Sequence, residues 1–496
     1  MRSRHEADAD IEAVTAAGTV RGGREDGLAV FRGIPFARPP VGALRFAAPE
    51  PPEPWDGVRP ATAFGPPPPQ SSTLAPGAPQ ETSGDWLTCN AWTPDPAASL
   101  PVMVWIHGGA YIAGHSADPG YDGGRLSQEG GVVVVTFNYR VGMEGFGHIE
   151  GAPANRGILD QAAALSWVRD NIAAFGGDPG NVTVFGESAG AGSIAALLTM
   201  PSASGLFHRA IAQSVPGTYF SPALAADISA AISAEAGARP TRRALAAITP
   251  GRLMTAVDSV AVTMAGRTRW GPVAHTPTPF SPVVDGDVLP RPPWEALAAG
   301  SARGIPLIVG HNRDEYRLFT VMDGSHGRIS EDRAATALRV FAPDPSAYRA
   351  AFPDASPGTL HELVQSDWLF RMPSLHLAEA HATGGGRVHF YELSWQAPGF
   401  GACHALDVPL VWGDLSAGMA QLLIGEHRAS AAEVSAKIRP AWTDFAKSGD
   451  PGWPAYDSTE RLTRVFDVPS AVTPYPEETS RALWAQHTFT ALPLAP

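Results

Sequence analysis

The chain has 496 residues, with 36 Lys and Arg against 49 Asp and Glu, which gives a formal net charge of −13 at pH 7. Hydrophobic residues make up 44% of it, so disorder along the whole length is excluded. The sequence contains no basic run. We therefore expect no nucleic-acid partner, because proteins that track a phosphate backbone need clustered positive charge.

The cysteine content and the N-terminal segment indicate the compartment. Cys89 and Cys403 are too few for a disulfide framework or a four-ligand zinc site, and we expect both to be free thiols. Residues 1–11 lack the apolar stretch of a signal peptide, so we expect a flexible N-terminus. Since the longest apolar runs are too short to cross a bilayer, the sequence predicts a cytoplasmic protein with no membrane partner.

Short apolar runs bounded by glycine in the first half predict strands that are buried on both faces of a parallel sheet. These runs are residues 101–106, 132–137 and 182–185. Between the last two, residues 158–175 repeat apolar side chains at the i, i+3, i+4 spacing of a helix, and Gly176 is placed to end it. Strand, helix and strand make a right-handed βαβ unit.

The second half repeats this pattern with longer spacers. Residues 305–310 and 387–393 predict two further strands, each leading into a polar loop. The spacers 217–302 and 316–385 mix helical stretches with Pro and Gly, and residues 66–84 form a Pro-rich segment that we expect on the surface. We interpret these three segments as excursions that cover a site.

The predicted fold class is therefore α/β. We expect a central, mostly parallel sheet covered by helices, with inserted helical lid segments. No long flexible linker divides the chain, so a single domain is predicted over residues 12–490.

The pentapeptide Gly186-Glu187-Ser188-Ala189-Gly190 fits the pattern G-x-S-x-G. It follows a predicted strand directly and precedes the apolar run of residues 194–200, which is the context that this motif requires. A sharp strand-to-helix turn there lifts the serine hydroxyl above the sheet. The motif predicts a nucleophilic Ser188 in an α/β-hydrolase fold.

A second glycine-rich stretch, His107-Gly108-Gly109-Ala110-Tyr111, ends the strand at residues 101–106. Small residues there let backbone amides face inward, where they can stabilise the oxyanion formed during acyl transfer. We predict an oxyanion hole made by the amides of Gly109, Ala110 and Ala189. A dinucleotide-binding loop is the rejected alternative, because the stretch lacks the G-x-G-x-x-G spacing.

The acid and the base of such a triad follow the serine in chain order. The loop after residues 305–310 offers Asp314 and Glu315, and the residues alone do not choose between them. Of the histidines downstream, His404 lies in a Gly-rich loop just past a predicted strand. No His, Cys and Asp cluster has metal-ligand spacing, so neither a metal nor a cofactor is expected.

With these motifs the chain resembles the type-B carboxylesterase family, which includes bacterial p-nitrobenzyl-type esterases and the cholinesterases. The resemblance runs from about Gly18 to Phe466 and implies that Ser188 is the nucleophile, Glu315 the acid and His404 the base. The motifs that carry it are FRGIPFARPPVGALRF (31–46), WIHGGAYIAG (105–114), FNYRVGMEGF (137–146), FGGDPGNVTVFGESAGAGS (175–193), GHNRDE (310–315) and HALDVPLVW (404–412).

The chain departs from the family pattern at several positions. Trp86 stands where many relatives have a cysteine, so we expect the family's N-terminal disulfide to be absent. Tyr316 replaces the glycine that usually follows the acid, and Ala110 replaces the third glycine of the oxyanion loop. Residues 66–84 are unlike the choline-recognising loop, and no choline-binding tryptophan is implied.

The predicted function is hydrolysis of carboxylic esters through an acyl-enzyme. Amidase, lactonase and thioesterase activity on the same triad stay open, as does a non-catalytic binding module. Uncharged esters of moderate size are the expected substrates, and the sequence indicates no oligomeric state. The aromatic residues predicted to line the substrate pocket are Trp86, Tyr111, Trp368, Phe370, Trp395 and Phe400.

Overall fold

The computed structural model describes residues 10–75, 77 and 84–496, and within them one sheet joins thirteen strands. The strands are β1 (Ile11–Thr15), β2 (Gly18–Glu25), β3 (Leu28–Pro35), β4 (Val58–Pro60), β5 (Thr88–Thr93), β6 (Leu100–Ile106), β7 (Val133–Phe137), β8 (Gly177–Glu187), β9 (Arg209–Gln213), β10 (Leu307–Asn312), β11 (Val388–Leu393), β12 (Leu462–Phe466) and β13 (Ala471–Pro474).

The strand order across the sheet is β1-β2-β3-β5-β7-β6-β8-β9-β10-β11-β12-β13, with β4 paired to β2. Every pairing from β7 to β12 along this order is parallel, whereas the main pairings at both ends are antiparallel. Since parallel strands end at the same edge, the residues that follow β6, β8, β10 and β11 are brought to one side of the molecule.

Helices fill the connections between the strands. They are α1 (Gly124–Gly130), α2 (Gly142–Phe146), α3 (Arg156–Asn171), α4 (Ala189–Leu197), α5 (Pro222–Glu235), α6 (Arg242–Leu245), α7 (Pro250–Thr263), α8 (Pro293–Ala298), α9 (Arg317–Met322), α10 (Glu331–Phe341), α11 (Pro345–Ala351), α12 (Pro357–Ser366), α13 (Met372–Thr383), α14 (Asp407–Trp412), α15 (Met419–Leu423), α16 (Arg428–Ser448) and α17 (Glu478–Trp484). A π-helical turn, Asp367–Arg371, joins α12 to α13. None of the described helices is long and apolar enough to cross a membrane.

The core lies on both faces of the sheet, as the alternation along β6 illustrates. Val102, Val104 and Ile106 pack into the largest hydrophobic cluster, whereas Met103 and Trp105 pack into a second one. All five side chains are at most 1% exposed. Strands buried on both faces read as continuous apolar runs, which is why the sequence identified them.

The predicted elements are found with small shifts of their ends. The strand predicted at residues 182–185 starts earlier, as β8, because Gly177 already pairs with Leu100 of β6. The predicted helix over residues 158–175 is α3 followed by a 3₁₀ turn, Ile172–Phe175. Its predicted end is confirmed, since Gly176 has a φ of 77° in the left-handed region.

Two predicted segments fall partly outside the described residues. Of the N-terminus predicted to be flexible, residues 1–9 lie outside the described residues, and Ile11 is the first residue of β1. Of the Pro-rich segment 66–84, residues 76 and 78–83 lie outside. Residues 72–74 are exposed as predicted, but residues 68–71 are buried, which corrects the surface prediction for that part.

Candidate active site

Ser188 lies in a sharp turn between β8 and α4. Its φ of 56° and ψ of −121° form a backbone conformation that residues other than glycine rarely adopt. The turn is held on both sides, because the Ser188 amide donates to the carbonyl of Gln213 and its carbonyl accepts from the amide of Gly192, both at 2.9 Å. The motif glycine Gly190 is required by close packing, since a Cβ there would overlap the carbonyl oxygen of Ile106.

Ser188, His404 and Glu315 form one chain of hydrogen bonds. Nε2 of His404 lies 2.9 Å from Oγ of Ser188, and Nδ1 lies 2.6 Å from Oε2 of Glu315. An ionised Glu315 only accepts hydrogen bonds, so it selects the tautomer that carries a proton on Nδ1 and leaves Nε2 free to accept. The second oxygen of Glu315 accepts from Oγ of Ser214 at 2.6 Å and from the amide of Asn312 at 2.8 Å.

The two neighbouring acids of this loop face different partners. Oδ2 of Asp314 accepts from the amide of Ala402 at 2.9 Å and lies 3.2 Å from the guanidinium of Arg313, while Arg317 lies 3.4 Å from its other oxygen. Burial opposes ionisation of Asp314, but the charges of Arg317 and Arg313 hold the pKa of its carboxyl below the usual value. Of the two acids, therefore, Glu315 is the one that contacts the imidazole.

The residue after this acid departs from the family pattern without disturbing the loop. Tyr316 has a φ of −72°, which any residue adopts, so the glycine found in relatives is not needed for backbone conformation here. Its amide donates to Oγ of Ser366 at 2.9 Å.

The predicted oxyanion residues present unpaired amides to the same place. Among the described residues, the amides of Gly109, Ala110 and Ala189 have no hydrogen-bond acceptor, and all three residues line the pocket above Ser188. Ala189 is the first residue of α4, so its amide has no partner within the helix. Three free donors, one of them at the N-terminus of α4 and two in the loop after β6, are suited to bind a developing negative charge.

Glu187 is a second carboxyl beside the imidazole, and sequence reasoning gave it no role. Its Oε1 lies 3.1 Å from Nε2 of His404, and burial raises the pKa of Glu187 to about 8. Burial disfavours the imidazolium of His404, but the charges of Glu187 and Glu315 outweigh it and raise the pKa of His404 to about 9. Oε1 of Glu187 has no hydrogen-bond partner among the described residues, so Glu187 acts on the imidazole through its charge.

A cavity of about 370 Å³ opens above the serine. Its floor, by which we mean Gly108, Gly109, Ala110, Glu187, Ser188, Ala189 and His404, comes from the end of β8 and from segments that follow strands. Its walls, by which we mean the lining side chains of residues 66–84, 217–302 and 316–385, include Leu74, Phe220, Phe280, Phe319, Leu369 and Phe370.

The six aromatic residues predicted for the pocket separate into two groups. Tyr111 and Phe370 line the cavity. The other four do not line the cavity. Trp368 packs on Phe341, and Trp86 is buried next to β5. Trp395 belongs to the hydrophobic cluster that contains Trp105, and Phe400 packs against that cluster.

Phe370 is a wall residue in direct contact with the imidazole. Its ring stacks on His404 with centroids 4.1 Å apart, and the ring of Phe319 also lies beside the imidazole, 5.6 Å from His404 and 6.3 Å from Phe370. Phe370 belongs to the π-helical turn, a structure that is common at functional sites. Arg371 of the same turn is anchored by Glu477 at 2.7 Å and Asp367 at 3.1 Å, so buried charge holds the turn against the site.

Several site residues were missed by sequence reasoning. Glu187 lies inside the serine motif itself. Its position directly before the nucleophile is the sequence signal that could have identified it. Ser214 follows β9 directly and, like Glu315, lies at the carboxyl edge of the sheet. Phe319 and Leu369 carried no signal beyond their apolar character. Within the described ranges, no group of three or more His, Cys, Asp or Glu side chains is arranged to hold a metal ion.

Comparison with known families finds one match along nearly the whole chain. The sequence model described as "Carboxylesterase family" matches residues 9–350 and 348–475. This range contains the whole floor of the cavity and Glu315.

Individual relatives agree with this match. The para-nitrobenzyl esterase of Bacillus subtilis is 40% identical over 487 residues, covering 94% of this chain and 97% of that protein. Liver carboxylesterase 1 of Mus musculus is 34% identical over 495 residues, covering 88% of this chain and 85% of the relative. A crystal structure of a Geobacillus stearothermophilus carboxylesterase at pH 6.2 superposes with a TM-score of 0.85 and 39% identity, over 95% of this chain and 99% of the other. The predicted α/β-hydrolase fold is confirmed.

Proposed function

This chain belongs to the carboxylesterase family and is a serine carboxylesterase, and we propose that Ser188 is its nucleophile, His404 its general base and Glu315 the acid that orients the imidazole. The observation that carries these assignments is the unbroken chain of hydrogen bonds from Oγ of Ser188 through His404 to Glu315. Hydrolysis of amides, lactones or thioesters is not favoured, because the matching family model and the relatives described above are named for esterases.

In the first half of the reaction His404 removes the proton from Oγ of Ser188 as the oxygen attacks the ester carbonyl. The carbonyl oxygen becomes an oxyanion, and we propose that the amides of Gly109, Ala110 and Ala189 bind it. His404 then protonates the departing alcohol and leaves an acyl-enzyme. In the second half His404 activates water, which attacks the acyl group and releases the acid.

The walls suggest the class of ester. We propose uncharged esters of moderate size, aromatic ones included, because the cavity is lined mostly by apolar side chains such as Phe220, Phe280 and Phe370. A relative named for a para-nitrobenzyl ester supports this proposal. The walls come from residues 66–84, 217–302 and 316–385, and we propose that these segments are the lids of a single domain over residues 12–490.

We further propose a cytoplasmic location and a small-molecule ester as the substrate, with neither a nucleic-acid nor a membrane partner. The two cysteines, Cys89 and Cys403, are both buried and unpaired, as expected in a reducing compartment. The net charge of −13 disfavours a nucleic-acid partner.

A burst experiment with p-nitrophenyl esters of increasing acyl length tests the reaction type and the substrate class together. Release of one equivalent of p-nitrophenol per enzyme, followed by a slower steady state, is expected for an acyl-enzyme route. A matched ester and amide, compared by kcat/KM, separate esterase from amidase activity. Steady turnover without a burst or any labelled intermediate, under conditions where deacylation is slow, would reject the proposed covalent route.

A further inference from the structure

The carbonyls of the oxyanion loop, residues 108–111, all accept hydrogen bonds, whereas the amides of this loop have no acceptor within the part of the chain that the structure describes. Three of the four carbonyls accept hydrogen bonds either from the side chain of the neighbouring His107 or from backbone amides. These donors are Nδ1 of His107 on Gly108 at 2.8 Å, the amides of Ile112 and Ala113 on Gly109 at 3.0 and 2.9 Å, and the amide of Gly142 on Tyr111 at 2.7 Å.

The carbonyl of Ala110 is held differently. It accepts a hydrogen bond of 2.6 Å from Oγ1 of Thr278, a side chain 168 positions away in the wall segment 217–302. Thr278 and Ala110 both line the cavity. A wall side chain is therefore bonded to the backbone of the floor at the residue whose amide faces the oxyanion.

The loop needs such a contact because its backbone conformation is unfavourable. Gly109, Ala110 and Tyr111 have consecutive positive φ values of 111°, 54° and 60°. Two of these three residues carry a Cβ, and left-handed conformations cost such residues energy that surrounding contacts must supply. A hydrogen bond to the Ala110 carbonyl restrains the peptide unit between Ala110 and Tyr111, and with it the Ala110 Cα to which the Ala110 amide is attached.

The Thr278 hydroxyl is itself well placed to donate. Its oxygen accepts from the amide of Phe280 at 3.1 Å, which leaves its single proton for the Ala110 carbonyl. Pro277 and Pro279 flank the residue and restrict its backbone on both sides. Oγ1 of Thr276 also lies 3.0 Å from the Thr278 carbonyl.

We propose that Thr278 is a positioning residue for the oxyanion hole. Its hydroxyl holds the Ala110 backbone so that the Ala110 amide meets the oxyanion of the tetrahedral intermediate, and it couples the 217–302 segment to the rate of acyl transfer. This role rests on the proposed function of the site, because it has meaning only if the oxyanion forms beside Ser188.

The test compares Thr278→Val, which keeps the shape and removes the hydroxyl, with Thr278→Ser, which keeps the hydroxyl. We expect Thr278→Val to lower kcat about tenfold and to weaken inhibition by an aryl trifluoromethyl ketone, which forms a tetrahedral adduct, by a similar factor. KM and inhibition by benzyl alcohol, a ground-state ligand, should not change. Thr278→Ser should restore both affected values.

Two controls separate this role from a general loss of structure. Thr263→Val removes a hydroxyl that bonds main-chain carbonyls at the end of α7, away from the cavity, and should leave kcat unchanged. Thr278→Ala serves as a second hydroxyl-free variant if Thr278→Val does not fold, and the same kcat loss is expected of it.

The proposal is overturned if both hydroxyl-free variants match the wild type, if KM and kcat change alike, or if Thr278→Ser is as slow as Thr278→Val. Ser188→Ala belongs in the same series. Retained turnover in that variant would reject the proposed function of the site, whereas an inactive Ser188→Ala beside a normal Thr278→Val would reject only the role of Thr278.

Discussion

The floor and the walls of the cavity are built in different ways. The floor residues follow β6, β8 and β11 directly or through one loop, so the hydrogen-bonded register of the parallel strands sets their positions. The walls come from long connections, of which 217–302 and 316–385 contain their own helices, and their side chains are placed by packing instead. Chemistry that needs sub-ångström geometry lies on the rigid part, and substrate shape is left to the part that can vary.

The strongest test of this difference between floor and walls is to remove the hydroxyl of Ser188 from the floor. Ser188→Ala is expected to lower kcat by about 10⁴-fold or more, the scale found when a triad nucleophile is removed. Steady-state hydrolysis of p-nitrophenyl butyrate measures the loss. Substantial turnover by the purified variant would show that the floor does not carry the reaction.

The two neighbouring acids offer a matched pair. Glu315→Gln should lower kcat by about 10³-fold or more, because the amide can hold the wrong imidazole tautomer and does not stabilise the imidazolium. Asp314→Asn, which changes a carboxyl bonded to Ala402 and the nearby arginines, should affect kcat far less. Equal losses in the two variants would contradict the assignment of the acid.

A wall substitution should act on a smaller scale. Phe370→Leu removes the ring that stacks on His404, and we expect kcat/KM to fall about fivefold, in line with one aromatic contact. Trp368→Phe, two residues away and outside the cavity, is the control and should leave kcat/KM unchanged. A larger effect from Trp368 than from Phe370 would mean that the walls are assigned to the wrong residues.

The smallest expected change is a shift in pH dependence. The base must be unprotonated to act, so kcat/KM rises with pH through the pKa of His404, which the charges of Glu187 and Glu315 raise to about 9 against burial. Glu187→Gln removes one of these charges, so the pKa falls and the rise in kcat/KM should move to lower pH by about one unit. A profile that stays in place, or that moves to higher pH, contradicts this electrostatic account.

The same difference between floor and walls explains which site residues could be predicted from the sequence. Strands that are buried on both faces are recognised in the sequence as apolar runs. The serine motif, the oxyanion loop and His404 follow such strands. These residues were predicted from pattern and family resemblance. The choice of Glu315 over Asp314 needed the resemblance, because two adjacent acids in a loop are equivalent until the backbone orients them.

The walls were predicted poorly for a physical reason. Trp368 and Phe370 lie two residues apart in a π-helical turn, so their side chains point in different directions and one of them faces the core. No sequence pattern predicts that π-helical turn. Trp395 lies in a hydrophobic cluster away from the cavity, and the hydrophobic character shared by core and pocket residues does not distinguish the two.

Trapping the acyl-enzyme tests the central claim most directly. The enzyme is mixed with p-nitrophenyl butyrate, quenched in acid during the burst, digested, and its peptides are weighed by mass spectrometry. The account predicts a single butyryl group on the peptide that contains Ser188, absent from the Ser188→Ala variant. A butyryl group on another residue, with that residue needed for turnover, would contradict it.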